Sequence, residues 1–377
     1  MGGLRVAVVG AGIGGAAAAL VLAHHGVDVA VYERRSTVSP VGSGLGLARN
    51  GRRVLEDLGL GPELDRTGAP ITTMRLLTSD GDEAGHYDVG ALLGMRRADL
   101  LRILLGGLGA DVVRRGRECV GVDVDGPRPV LRLADGSSVT ADVVVGADGL
   151  HSRTAPVVTT VPAPHPSGTS ALRGFVDATG LPRHLRSDQN AWLGPDRHLL
   201  SYPVDRHGTV NFAAFVPRPG GSADEWSFRV DPDDVRAGFA GWAEDVTALL
   251  ARADEVYRWD LADRDPFTPW SRAGVVLLGD AAHPMLPHMG QGANQAIEDA
   301  AVLAALLADV SDPAGVPARL AAYEDERRPR TERIQTRSRR NGERFSTGSA
   351  PGGDLSWVHG YDAPAAGRAA AARVAGA

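Results

Sequence analysis

The first 33 residues limit the fold more than any other stretch. Leu4 to Val9 is a compact, mostly apolar run, GAGIGG follows at 10–15, Ile13 to Ala23 has the composition of a helix, and Val27 to Tyr32 is a second apolar run with Glu33 at its end. That order predicts a complete strand–turn–helix–strand unit. Gly10, Gly12, Gly14 and Gly15 permit a tight turn and let backbone approach a pyrophosphate closely. Glu33 lies about 20 residues past the last glycine, where an acid takes the ribose hydroxyls of adenosine, and Arg34 beside it is counted with the same site. The unit predicts dinucleotide binding and leaves FAD and NAD both open.

A second strand–loop–helix stretch runs from Val275 to Ala300, VVLLGDAAHPMLPHMGQGANQAIEDA. Val275 to Leu278 reads as a short buried strand with Gly279 and Asp280 at its tip. A Pro- and Gly-rich loop leads to a helix that begins near Ala293. A carboxylate at a strand end can accept from a sugar hydroxyl. A glycine-flanked helix start presents free N–H groups and a positive dipole end. Three shorter stretches accompany these two. Val143 to Val145 is a buried strand that ends in Gly146-Ala147-Asp148-Gly149. Arg97-Ala98-Asp99-Leu100 opens a helix after Met95, and its guanidinium suits forked bonds to oxyanions. VGSGLGLARN at 41–50, with Gly44, is a further glycine-rich loop.

Composition narrows the possible functions. The chain has 377 residues, enough for two joined domains, and a net charge of −6, which argues against nucleic acid and anionic membrane partners. Cys119 is the one cysteine, so there is no disulfide framework and no thiolate metal cluster. Lysine is absent, which excludes a Schiff-base or P-loop lysine. His283 and His288 are too few and too irregularly spaced for a metal site, so none is expected. The Ala-rich run to Leu22 is interrupted by glycines and suits a turn better than a signal peptide, and no stretch is long enough to span a membrane. A soluble cytoplasmic protein, monomer or homodimer, is expected.

Asp111 to Thr140 alternates apolar and polar residues and predicts antiparallel strands. Pro156 to Ser170 reads as a crossing between domains. Arg173 to Asp177, His198 to Val204 and Thr209 to Val216 are strand-like and, with Ile71 to Tyr87, predict a second sheet. Asp231 to Arg252 reads as helical. Pro313 and Pro317 break the preceding helix, and Arg319 to Arg344 predicts a long helix whose interleaved charges suit a solvated face. The final Ala/Gly/Arg stretch is expected to be a disordered tail.

GDAAHP, Pro287, Gly290-Gln291-Gly292, Asn294 and Glu298-Asp299-Ala300 resemble the second flavin motif of the single-component FAD-dependent aromatic hydroxylases, the family of p-hydroxybenzoate and salicylate hydroxylases. GADGLHSR at 146–153 resembles the family's middle fingerprint, RADL its R-x-D-L element, and YEDERRPRTERIQTRSR its closing segment. Two positions depart from the pattern: Arg49-Asn50 stands where Pro-Asn is frequent, and Ala155 where an Arg is usual. The resemblance implies an α/β fold. A Rossmann-like FAD-binding domain of p-hydroxybenzoate hydroxylase type would comprise 1–70, 93–165 and 271–345. A mainly β substrate domain, 71–92 and 166–270, would be inserted in it, and 346–377 would form the C-terminal tail.

The same resemblance implies the chemistry. NADPH or NADH reduces non-covalently bound FAD, and dioxygen is then used through a flavin C4a-hydroperoxide to hydroxylate a small phenolic, aromatic-acid or indolic substrate. Arg97 would reach the FAD phosphates, Asp148 both nucleotides, and Asp280 the ribityl chain. Gly290, Gly292, Ala293 and Asn294 would meet the pyrimidine edge, and Gly44 the side of the ring. Pro287 would line the oxygen-reactive face and His288 would act there as a base. Tyr202 and Asn211 would border the substrate, and Arg173 would hold its carboxylate. An oxidoreductase of the same fold without oxygen insertion, and a non-catalytic flavin-binding protein, are the alternatives.

Overall fold

The computed structural model describes residues 3–37, 43–218, 228–349 and 354–376. Among them, strands form three sheets. The first runs in the order Ser271–Arg272, Val275–Leu277, Val143–Gly146, Arg5–Val9, Asp28–Glu33 and Val113–Arg115, and is parallel except for its first pair. Arg5–Val9 sits centrally because its residues are buried on both faces, as parallel strands require. The helix Ile13–His24 covers one face, and its own Ala16, Ala17, Ala18 and Ala19 are fully buried. Those small side chains let helix and sheet approach closely. Gly15 shows how closely: a Cβ there would lie 1.9 Å from the Gly10 carbonyl oxygen. Gly10 itself has φ +97°, a left-handed turn that a side chain would strain.

The second sheet has nine strands, in the order Phe228–Val230, Val256–Asp263, His165–Asp177, Thr209–Pro217, His198–Pro203, Gln189–Leu193, Ala69–Thr78, Glu83–Arg96 and Gly44–Leu47. Only Gln189–Leu193 with Ala69–Thr78 is parallel. Cys119–Asp123, Val130–Leu133 and Ser138–Thr140 make a small antiparallel sheet. No helix among the described residues is long and apolar enough to cross a membrane.

Several expectations are corrected. Gly44–Leu47, read as loop, is an edge strand paired with Glu83–Arg96; Val41 and Gly42 of that stretch lie outside the described residues. Val113–Arg115, read with the antiparallel group, pairs in parallel with Asp28–Glu33. Asp231 to Arg252 is two helices, Pro232–Gly238 and Glu244–Leu250, separated at Gly241, which has φ +80°. Pro317 lies in the first turn of the long helix Val316–Ser346, where a missing N–H costs nothing.

The expected disordered tail instead carries helices Ser356–His359 and Ala363–Ala375, the second capped by Asp362, which accepts from the Ala365 N–H at 2.9 Å. It docks through small residues: a Cβ on Gly367 would meet Ala305 Cβ at 2.8 Å. The guanidiniums of Arg330 and Arg333 lie 4.1 Å from the Tyr361 ring centre and 3.8 Å from that of Trp357.

Candidate active site

The carboxyl ends of four strands of the parallel sheet open on one cavity. Val9 to Gly12, Tyr32 to Arg34, Ala147 and Asp148, and Leu278 to Asp280 all line it. In an open parallel sheet this is where ligands bind. The cavity continues to the second sheet at Arg173, Tyr202 and Asn211, and its volume is about 1630 Å³. A single drug-sized ligand needs roughly 300–1,000 Å³, so there is room for a dinucleotide and a second small molecule.

At the cofactor end, the helices Ile13–His24 and Gly292–Leu307 both begin at the cavity wall. Arg97 lies beside Gly12: a Cβ on the glycine would be in ordinary contact with a guanidinium nitrogen, at 3.8 Å. Glu33 accepts the Ala11 N–H and the Arg35 N–H, both at 2.8 Å, which fixes its carboxylate beside the glycine turn. Arg34, Gly290, Gly292 and Ala293 also line the space. Asp280 faces into the cavity. Desolvation raises its pKa, against the lowering influence of His283 and Arg97, and Asp299 raises it further. Desolvation likewise lowers the Arg97 pKa, which the Asp280 carboxylate partly offsets. A cavity with helix N-termini, a cation and two carboxylates suits the phosphates, ribityl chain and ribose of FAD.

Two of the expected cofactor residues have their side chains committed elsewhere. The Asp148 carboxylate accepts from the Ser152 and Thr154 hydroxyls, each at 2.7 Å, and from the Arg153 and Thr154 N–H groups at 2.7 and 3.1 Å. It organises the turn after its strand, whose His151, Ser152 and Arg153 also line the cavity. Asn294 accepts the Ala48 N–H at 3.0 Å and donates to the Gly46 and Gly290 carbonyls, each at 3.0 Å. Asn294 therefore ties the Gly44–Leu47 strand to the Gly290 loop. Gly44 is held in turn by the Asn211 side chain, which accepts its N–H at 2.8 Å.

The substrate end follows from strand register. Tyr202 pairs with Asn211, Leu200 with Ala213 and His198 with Phe215, so alternate residues of two strands share one face. Arg173 pairs with Ala213 from the other side. All of these line the cavity. Arg173 Nε is enclosed and has no hydrogen-bond partner, and no carboxylate among the described residues pairs with the guanidinium. Burial lowers its pKa, and Tyr202 is the group that opposes this. Burial raises the Tyr202 hydroxyl to about 12, against the lowering influence of Arg173.

His288 does not meet the expectation of a near-neutral imidazole. Burial first, and Arg173 second, lower its pKa to about 4. Its Nδ1 is buried without a partner. Its ring lies 5.2 Å from Phe215, 5.7 Å from His198 and 6.0 Å from Phe345. His198, not singled out from sequence, is stacked between Phe215 at 4.3 Å and Phe345 at 4.8 Å. Burial and the neighbouring His288 lower it to about 3.

Behind the Gly290 loop lies a buried ionic cluster. Arg327 donates to Asp299 at 2.7 Å and to Glu298 at 2.6 Å, and none of the three side chains is exposed. Asp299 also accepts the Gly279 N–H at 3.0 Å and meets His283 Nε2 at 2.6 Å, while Arg330 reaches Glu298 at 2.8 Å. The long helix is thus not solvated on this face, which corrects the expectation. Glu298 and Asp299 inside an apolar helix were the available signal, since fully buried carboxylates demand cations.

Known proteins agree with this arrangement. Residues 3–338 match the family described as FAD binding domain. The chain is 39% identical to a 3-amino-4-hydroxybenzoate 2-monooxygenase of Streptomyces platensis, over 95% of this chain and 96% of the relative. It is 34% identical to a salicylate hydroxylase of Pseudomonas putida, over 91% and 86%. The structure of a salicylate hydroxylase substrate complex superposes with a TM-score of 0.84 at 30% identity, covering 98% of each chain. With a cavity shaped for FAD and an aromatic-lined recess beyond it, the chain belongs to the single-component FAD-dependent aromatic hydroxylases.

Proposed function

We propose that this enzyme hydroxylates a phenolic aromatic acid at the expense of NAD(P)H and dioxygen, with Arg173 as the carboxylate anchor. The observation that carries the reading is a desolvated guanidinium in an aromatic recess: it lies over the Trp259 ring at 5.6 Å, its Nε has no hydrogen-bond partner, and no carboxylate among the described residues pairs with it. A buried cation without a counter-ion is costly, so its partner is a ligand. The relatives that act on aminohydroxybenzoate and salicylate, both aromatic acids, support the same class.

Bound FAD supplies the redox chemistry and oxygen activation. The protein's residues bind, orient and keep water out. Arg97, Glu33 and Asp280 hold the phosphates, adenosine ribose and ribityl chain, with Arg34 and the turn at Asp148 beside them. Gly44, Gly290, Gly292 and Ala293 bound the ring's polar edge, Asn294 holds the Gly44–Leu47 strand and the Gly290 loop together behind them, and the dipole of the Gly292–Leu307 helix favours negative charge there. Arg173 fixes the substrate carboxylate. Tyr202, Leu200, Ala213 and Phe215 form the wall against the aromatic ring, and Pro287 closes the opposite side. In the complex, where a carboxylate on Arg173 offsets one of the two causes that lower its pKa, the His288 imidazole accepts the substrate's phenolic proton, which raises the electron density of the ring.

The division of labour proposed with it is a discontinuous cofactor domain, 1–70, 93–165 and 271–345, and a substrate domain, 71–92 and 166–270. A cytoplasmic location, as monomer or homodimer, belongs to the same proposal. The test is to offer a panel of hydroxylated benzoic acids and their decarboxylated counterparts. Acids should stimulate NAD(P)H oxidation and yield a product containing one atom of labelled dioxygen. Equal stimulation by the decarboxylated phenols would overturn the role of Arg173, and absence of label would favour an oxidoreductase without oxygen insertion.

A further inference from the structure

The loop that carries Pro287 and His288 has no regular structure of its own from His283 to Leu286. Its alternate carbonyls are nevertheless held at regular intervals. Gln335 Nε2 donates to the Pro284 carbonyl at 2.9 Å, Ser338 Oγ to Leu286 at 2.5 Å, and Asn341 Nδ2 to His288 at 3.3 Å. The three donors follow one another at three-residue intervals on the long helix, about 4.5 Å of rise apiece, so they form one slanted ridge on its surface. All three are buried, Ser338 completely.

The next residue supports the loop in a different way. A Cβ on Gly342 would lie 2.6 Å from His288 Cδ2 and 2.8 Å from Nε2, so the imidazole rests on bare helix backbone. Gly342 lies within the helix and has no left-handed φ to explain it. Its function is space. Phe215, His198 and Phe345 surround the same ring, so a methyl group at 342 drives the imidazole toward the cavity.

We propose that Gln335, Ser338, Asn341 and Gly342 are positioning residues, a rail that fixes the Pro287–His288 loop over the reacting space and so decides how reducing equivalents are spent. This rests on the placement of that loop beside the substrate in the function proposed above. When the loop is held, one atom of dioxygen enters a ring C–H bond and the other leaves as water, with two electrons from NAD(P)H. When it is displaced, the same two electrons and two protons leave with dioxygen as hydrogen peroxide.

The experiment compares FAD-loaded wild type, Gly342→Ala, Ser338→Ala, His288→Ala and the Gly342→Ala/His288→Ala double variant. Product formed per NAD(P)H should fall about fivefold or more in Ser338→Ala, the size of one lost neutral hydrogen bond, and should also fall in Gly342→Ala, where the added methyl displaces the ring. FAD affinity and the rate of flavin reduction should stay at wild-type values, which a general loss of structure would not allow. In the double variant, Gly342→Ala should add less than about a twofold effect, because the ring it displaces is gone. A readout independent of substrate is modification of His288 by diethyl pyrocarbonate, mapped by mass spectrometry, which should accelerate in both single helix variants. Wild-type coupling and wild-type modification in Ser338→Ala and Gly342→Ala would overturn the rail. So would a Gly342→Ala penalty that persists undiminished without His288. If Gly342→Ala fails to fold, Ser338→Ala decides by the same two readouts. Should no aromatic acid stimulate wild type, the substrate reading fails separately and the modification rates still decide the rail.

Discussion

Arg327 and Asp299 meet at 2.7 Å across 28 residues of sequence, with neither side chain exposed. The pair sits behind the Gly279 N–H, which Asp299 also accepts, so it fixes the strand end that carries Asp280. Replacing Arg327 with Ala leaves the buried Asp299 without its guanidinium, while Glu298 keeps Arg330, and unfolding stability should drop by ~3–5 kcal/mol. Denaturant titration measures this. A drop under about 1 kcal/mol would mean that the cluster relaxes or admits water.

The same carboxylate predicts acid sensitivity. Burial alone would raise the Asp299 pKa, but His283 and Arg327 overcome it and hold the group at about 2, below the ordinary 3.8. A depressed folded-state pKa adds stability that is present above about 3.8 and disappears as pH falls through about 2. Stability of Asp299→Asn against wild type should therefore differ at neutral pH and converge as pH falls across that window. Parallel curves from pH 6 to pH 2 would refute the assignment.

How much of this was legible in sequence depends on how local each interaction is. The glycine turn, Glu33 and Asp280 stand out because nucleotide sites are built within single strand–turn–helix units, whose spacing the chain itself records. The burial of Arg327 was not legible. Its partners lie on another helix, and Glu324, Asp325, Glu326 and Glu332 around it make the segment read as a solvated face. His198 became meaningful only when strand register set it opposite Phe215. The C-terminal helix was obscured by composition: Gly367 and its alanines read as disorder, yet they fit a narrow groove against Val302 and Ala305. Gly342 has no local sequence signal, because the ring it accommodates comes from His288, far away in the chain.

Asp280→Ala removes a charged acceptor from the cofactor end of the cavity and leaves Arg97 without its neighbouring carboxylate. A hydrogen bond of this kind contributes ~1.5–3 kcal/mol, so FAD affinity should fall about ten- to a hundredfold. Flavin fluorescence titration reads the change, and circular dichroism should remain native. Undiminished affinity would remove Asp280 from the ribityl contact.

Arg173→Met separates stability from function. The guanidinium is desolvated and lacks a counter-ion, whereas methionine fills similar space without charge. The substrate-free variant should melt at a temperature equal to or higher than wild type. Its KM for an aromatic acid should rise by about two orders of magnitude or more, since a lost buried ion pair costs roughly 2–5 kcal/mol. A lower melting temperature with unchanged KM would mean that the cation is structural.

His288 should report the arrival of substrate through its own titration. In the free enzyme, burial and then the Arg173 charge hold it at about 4, so it is neutral throughout the physiological range. A substrate carboxylate on Arg173 cancels the second cause and leaves the first. The pKa should therefore rise on binding, yet remain below the ordinary imidazole value. The sign follows directly: the protonated ring cannot accept a phenolic proton, so hydroxylation is lost as pH falls through this pKa. The acid limb of kcat/KM, which reflects free enzyme, should lie near pH 4, and that of kcat, which reflects the complex, at higher pH. Replacing His288 by Ala should remove both limbs and slow single-turnover hydroxylation by roughly 10²-fold or more, with flavin reduction unchanged. If the limbs persist in the variant they belong to another group, and if the rate is also unchanged the imidazole only packs against Gly342.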